Sequence, residues 1–161
     1  MRLTNYRATK FIPGMYYFLV VVFFLVIFLN QVLGAQFIKS NTTLYIAEGF
    51  IILVLLYTYY IGRYFEYDSE GTLLSLYTRG VILSQITNYR DKRYEIKKTN
   101  VTDFKLINYL FYKKLIISYQ RNNKIRKTEI NVTLLSPRKV RYLKKSLHKI
   151  LHQNRHLQTI S

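Results

Sequence analysis

Few side chains in this sequence could do chemistry, and their spacing decides what kind. His148, His152 and His156 recur four apart, so on a continuous helix they share one face and could hold a metal ion. Arg141, Lys145, Lys149 and Arg155 sit among them, and cations so close oppose a second cation. The expectation is a solvated basic face with no metal. Asp91, Glu95 and Asp103 each have Lys or Arg within two residues and read as surface ion pairs rather than an acid/base pair. No phosphate loop, dinucleotide fingerprint or H-E-x-x-H occurs, and there is no cysteine to form a disulfide, a thiolate metal site or a redox pair. No enzymatic activity and no cofactor are therefore expected. The remaining group is Glu48, a lone carboxylate in an apolar run, where an ionisable residue is a functional candidate by default. Asn30, Gln31 and Gln36 precede it across a short polar turn, and antiparallel folding about that turn brings them to its depth. Glu48, Gln31 and Gln36 form the expected intramembrane polar contact. Because Glu48 lies one turn into its helix, where the helix N-terminus favours negative charge, a structural or partner-contacting role ranks above transport.

The element that must position Glu48 is a pair of apolar runs between Phe11 and Gly62. No charge falls between Lys10 and Lys39, and Met15 to Leu29 is apolar at every position. A helix rises about 1.5 Å per residue and must cross roughly 30 Å of hydrocarbon, so about 20 apolar residues suffice. Helices over 11–36 and 44–62, joined by the turn Ile38 to Thr43, make residues 1–62 a transmembrane hairpin. Three basic residues precede it (Arg2, Arg7, Lys10), Lys39 lies in the turn, and the other 21 of the 25 follow. By the positive-inside rule both termini face the cytoplasm, and Tyr16, Tyr17, Tyr57, Tyr59, Tyr60 and Tyr64 collect at the inner headgroup level. The first run is longer than a signal-peptide core and lacks a good cleavage site, so an uncleaved anchor is expected.

From Arg63 the hydrophobic period changes. Short runs rich in Tyr, Ile, Leu, Val and Thr recur between turn residues, which predicts antiparallel strands at about Tyr64–Asp68, Thr72–Tyr77, Val81–Thr87, Arg93–Lys97, Val101–Asn108, Leu115–Gln120 and Ile125–Leu134. The turns between them are Ser69-Glu70-Gly71, Thr78-Arg79-Gly80 and Asn122-Asn123, the last suited to positive φ angles. Ser136 and Pro137 open a closing helix as N-cap and first residue. Val140, Leu143, Leu147, Ile150 and Leu151 fall on one stripe of it, while Arg138, Arg141, Lys145, His148, Lys149 and His152 lie opposite. The expected domain is 63–153, with 154–161 a flexible tail.

An opening strand that ends in an acid before Glu70-Gly71, a glycine-turn hairpin at Gly80, the segment Tyr94-Glu95-Ile96 leading into Val101-Thr102-Asp103-Phe104, and a closing capped helix together resemble bacterial pleckstrin-homology (PH)-like domains attached to two transmembrane helices. The resemblance implies a seven-stranded, partly open antiparallel barrel capped by the C-terminal helix, thus an α+β domain beside a membrane α-helical hairpin. It also implies a binding or assembly module rather than an enzyme. Phosphoinositide-binding relatives carry several basic residues in the first hairpin loop and a tryptophan in the closing helix. Here only Arg79 is offered beside Glu70, and tryptophan is absent, so no such site transfers to named residues.

The net charge of +17 calls for a partner of opposite sign. A basic domain held beside anionic headgroups is drawn against the inner leaflet, by roughly 1 kcal/mol per Lys or Arg. Arg138, Arg141, Lys145 and Lys149 on the closing helix, and Tyr109, Tyr112, Lys113 and Lys114 in the run YLFYKK, are the expected membrane-surface or partner-binding residues. Nucleic acid ranks lower: basic residues interleave with tyrosines as stacking requires, but no known nucleic-acid module is visible. The expectation is an integral protein of the bacterial cytoplasmic membrane, both termini cytoplasmic, acting as a scaffold or accessory subunit with other integral membrane proteins. The alternatives are a transport or channel component using Glu48 and a tethered lipid or nucleic-acid binder.

Overall fold

The structure, a computed structural model, describes residues 1–32, 41–83 and 91–160 of the 161. A short strand, β1 (Arg2–Thr4), precedes helix α1 (Tyr6–Ile27), which runs on into a π-helical turn at Phe28–Val32. Helix α2 (Asn41–Ile61) leads directly to β2 (Arg63–Asp68) and β3 (Leu73–Gly80). Then follow β4 (Lys92–Lys97), a 3-10 turn at Lys98–Asn100, β5 (Val101–Asn108), β6 (Lys113–Arg121), β7 (Lys124–Asn131) and helix α3 (Pro137–Ile160). All strand pairs are antiparallel, in one sheet of order β1-β2-β3-β4 and a second of order β5-β6-β7.

The two apolar helices form as their composition requires, and each is long and apolar enough to cross a membrane. They are not the core of the β-domain. Only 6% of the most apolar window of the first helix and 11% of that of the second are buried, and Phe18, Val21, Phe24, Phe50, Leu53 and Leu56 are all exposed. The domain has its own core. Alternate residues of the strands turn inward, Phe65 and Tyr67, Leu74 and Leu76, Leu115 and Ile117, each wholly buried. From α3 the stripe Leu143, Leu147 and Ile150 closes over them, with Val140 and Leu151 at its margin. Between sheet and helix the Tyr67 hydroxyl meets Ser146 Oγ at 2.8 Å. Ser136 caps α3 as expected, its Oγ accepting from the Lys139 N–H at 3.4 Å.

Four expectations change. The helix does not end at Gln153. It continues to Ile160, and Asn154 donates from Nδ2 to the carbonyls of Lys98 (2.7 Å) and Val101 (2.8 Å), fastening what had read as a tail. Thr78-Arg79-Gly80 is not a turn but the end of β3. The inward positions there are Thr78 and Gly80, too polar or small to show the alternation, and Gly80 pairs with Arg63. Val81–Thr87 does not begin as a strand: the Val81 N–H bonds to the Gly62 carbonyl, Ile82 is buried, and Leu83 takes a φ of +53°, while 84–87 lie outside the described residues. The seventh strand comes instead from the N-terminus, where Arg2 pairs with Asp68 and Thr4 with Glu66. The domain is thus assembled from both sides of the hairpin, not from 63 onward.

The seam is a buried polar joint. Asn5, 3% exposed, accepts the Phe65 N–H on Oδ1 (2.8 Å) and donates from Nδ2 to the Arg63 carbonyl (2.9 Å), while its own N–H bonds to the Phe65 carbonyl (3.2 Å). Around it Thr9, Ile12, Thr58 and Ile82 are buried. A Cβ on Gly62 would lie 2.9 Å from both Ile82 Cδ1 and the Thr58 carbonyl, so only glycine lets the chain leave α2 this close to α1. Outside the seam, the Arg2 guanidinium pairs with Glu66 (2.5 Å), which also accepts from the Tyr64 hydroxyl (2.7 Å). Burial, then this bond to a carboxylate, pushes the Tyr64 phenol up to about 12.

Two outcomes follow. Asn5→Ala leaves the buried Phe65 N–H without an acceptor, a loss of about 1–3 kcal/mol for that group alone, so Tm in detergent should fall by several degrees. Asn5→Asp, which keeps the acceptor but sets a second oxygen against the Arg63 carbonyl, should also lower Tm; a Tm unchanged in Asn5→Ala would refute the joint. For Tyr64 the folded state favours the protonated phenol, so its contribution is intact below about pH 10 and lost from there as pH rises through about 12. Tyr64→Phe should show a shallower decline of Tm than the parent across that alkaline window.

Candidate functional site

The hairpin end of the domain gathers what the sequence had scattered. Between β5 and β6 the chain turns at Tyr109–Tyr112, closed by the Tyr109 N–H to the Tyr112 carbonyl (2.8 Å) and the Tyr112 N–H to the Tyr109 carbonyl (3.4 Å). The tip reaches α2. The Tyr57 hydroxyl donates to the Phe111 carbonyl at 2.7 Å, and the Tyr60 and Tyr112 rings lie 5.7 Å apart with their hydroxyls at 3.4 Å. Burial, then the bond with Tyr60, pushes the Tyr112 phenol up to about 12, so it is neutral at physiological pH. At the tip itself Tyr109 is 65%, Leu110 88% and Phe111 68% exposed.

Of the expected surface residues, Tyr109, Tyr112, Lys113 and Lys114 are therefore brought together near the C-terminal end of α2. Lys113 is held by the backbone, its N–H on Thr133 Oγ1 (3.1 Å) and its ammonium on the Leu135 carbonyl (3.4 Å); Lys114 pairs with Glu129. The four basic residues of α3 are not brought to one level. The helix starts at the seam, where Lys139 Nζ bonds to the Thr4 carbonyl (2.5 Å), passes Ser69 at Ser146, and reaches Lys98 at Asn154. Arg138 and Arg141 thus lie near the hairpin, while Lys145 and Lys149 line a depression with Met1, Ser69 and Lys98 at the far end. The spacing between Arg138 and Lys149 is about 16 Å along the axis.

Within the hairpin, Glu48 Oε1 and Asn30 Oδ1 are shielded and without a hydrogen-bond partner among the described residues, Asn30 lying in the π turn. The Gln31 side chain and all of Gln36 fall outside the described residues, so the expected polar cluster reduces to these two oxygens. His148 does not stand free on a basic face: its ring meets Phe104 edge-on at 4.9 Å. The His156 side chain lies outside the described residues, and among those described no three His, Cys, Asp or Glu converge on a metal-sized site. Asp91 and Glu95 are in ion pairs as expected, with Arg79 (3.7 Å) and Arg93 (2.8 Å); Asp103 has none among the described residues.

What the sequence reading missed is the seam and the tip's apolar pair. Arg2-Leu3-Thr4 is too short for alternation to register, although Asn5 before a helix is a recognisable boundary signal. Within the run YLFYKK the tyrosines and lysines carry a surface signal, whereas nothing in the sequence marks Leu110 and Phe111 as exposed. Comparison with models of protein families, with curated proteins and with solved structures finds no match to this chain.

Proposed function

We propose that this chain is a non-enzymatic scaffold or accessory subunit of a larger membrane protein assembly, held in the bacterial cytoplasmic membrane by a spanning hairpin and presenting a PH-like domain to a protein partner and to the anionic inner leaflet. The observation that carries the reading is the outward apolar surface of α1 and α2, joined to a separate, fully packed β-domain. Apolar surface on this scale marks contact with lipid or with other membrane helices. Sheets of four and three strands with a helix closed over their core support the PH-like reading. Pairing of β1 with β2 across the hairpin supports termini on one side, and the 21 basic residues after the hairpin support the cytoplasm as that side.

Transport is the second reading, favoured by the shielded oxygens of Glu48 and Asn30 alone. Two helices make a poor conduction path, so the same oxygens are assigned to donors on a partner helix.

Because the chain has no cysteine, single cysteines report topology directly. Ser40→Cys should react with a membrane-impermeant thiol reagent in intact cells and Lys124→Cys only after lysis; the reverse pattern would overturn the orientation. In native gels of mild-detergent extracts the chain should run in a species far above its 19.4 kDa. Migration as a monomer would remove the assembly role, and Glu48→Gln that abolishes function while the large species persists would favour transport.

The charge argument makes a graded forecast. Attraction to headgroups fades beyond a Debye length of about 8–10 Å, so basic residues near the hairpin should matter most. Adding phosphatidylglycerol to phosphatidylcholine nanodiscs should raise the Tm of the full chain. Arg138→Glu with Arg141→Glu should remove most of that rise, and Lys145→Glu with Lys149→Glu little of it; equal losses would mean that the whole helix faces the leaflet.

A further inference from the structure

We infer that the β5–β6 tip is a lipid-inserting wedge, with Leu110 and Phe111 seated among the upper acyl chains of the inner leaflet as a third contact beside the two helices. The inference rests on the hairpin spanning a bilayer as proposed above and names a part of the soluble domain that enters it.

Depth is the first argument. Tyr57, which holds the Phe111 carbonyl at 2.7 Å, precedes the last residue of α2 by four positions. The contact therefore lies about 6 Å inside the end of the helix, within the stretch long and apolar enough to span. A segment that lies at the boundary of headgroups and acyl chains sinks its apolar face by about 5–10 Å. The tip is thus hydrogen-bonded to α2 at the level where lipid begins.

Chemistry is the second. Leu110 is 88% exposed and Phe111 68%, the opposite of what water favours for two adjacent large apolar side chains. Their neighbours Tyr109 and Tyr112 have the amphipathic rings preferred at headgroup level, and Lys113 and Lys114 follow at once. Each backbone polar group bonded within the protein lowers the cost of bringing a turn into a low-dielectric layer. Here the N–H and carbonyl of both Tyr109 and Tyr112 bond to each other across the turn, and the Phe111 carbonyl is taken by Tyr57. On α2, Leu53, one turn before Tyr57 and so on the same face, is also exposed. Lipid is the occupant that an apolar tip bonded to an apolar helix favours; a second copy of the chain is the rival.

The absence of tryptophan supplies the test. The full chain carrying Leu110→Trp is reconstituted in phosphatidylcholine/phosphatidylglycerol vesicles whose acyl chains are brominated either near the carbonyls or near the bilayer centre. Phe24→Trp, exposed in the last turns of α1, reports on the hairpin. Ile125→Trp, exposed at the far end of the domain, reports on water. For Leu110→Trp the expected result is blue-shifted emission, strong quenching by the shallow bromines, weaker quenching by the deep ones, and several-fold less quenching by acrylamide than for Ile125→Trp. If Leu110→Trp behaves like Ile125→Trp while Phe24→Trp is quenched by lipid, the wedge is overturned and the hairpin stands. Leu110→Trp shielded from both acrylamide and bromolipid would place the tip against a second copy and also overturn it. Phe24→Trp untouched by any brominated lipid would remove the spanning hairpin and the wedge with it.

Discussion

The arrangement depends on the three hydrogen bonds through which Asn5 grips the first residues of β2. They join the last residue before α1 to the first residues after α2, so the place where the chain departs and the place where it returns are one buried site. Because the donors and acceptors there are shielded from water, each lost bond leaves a polar group unmet, and the joint has little tolerance for loosening. The hairpin is consequently joined to the domain through a packed, hydrogen-bonded seam instead of a linker. The β5–β6 tip can then be hydrogen-bonded to Tyr57 at a fixed height on α2, which a mobile tether would not maintain.

Much of the fold was legible because its signals were strong and local. The two apolar runs, the Asn122-Asn123 turn with both residues at positive φ, the strand Val101–Asn108 and the stripe of the closing helix all follow from period and turn chemistry. What escaped was non-local. Three residues cannot display a period of two, so β1 shows only once its partner sixty residues away is known. Thr78 and Gly80 face inward without being apolar, which cut β3 short in the sequence and turned its end into a turn. Asn154 looked like a fraying polar residue because its two carbonyl partners belong to a distant segment.

The candidate surface was legible in composition and not in placement. Charge and aromatic content pointed to Tyr109–Lys114 and to the basic residues of the closing helix alike, since a linear pattern gives no height above a membrane. The structure separates them: the tip stands beside the hairpin, while α3 carries Lys145 and Lys149 away from it. A helix stripe predicts which side chains are solvated, but only its contacts at Thr4 and Lys98 fix which end is near the hairpin.

Strand β1 has a consequence for the order of events during synthesis. Its partner becomes available only after both helices have been made, and closing a loop of about 58 residues in a flexible chain would cost about 3–4 kcal/mol of entropy. Helices that associate inside a bilayer bring Tyr6 and Ile61 side by side beforehand, so that cost is largely met before the strand docks. For a hairpin that spans the membrane as proposed, sheet completion would follow insertion. Without β1, β2 would be the open edge of its sheet, a row of unpaired backbone groups available to another strand.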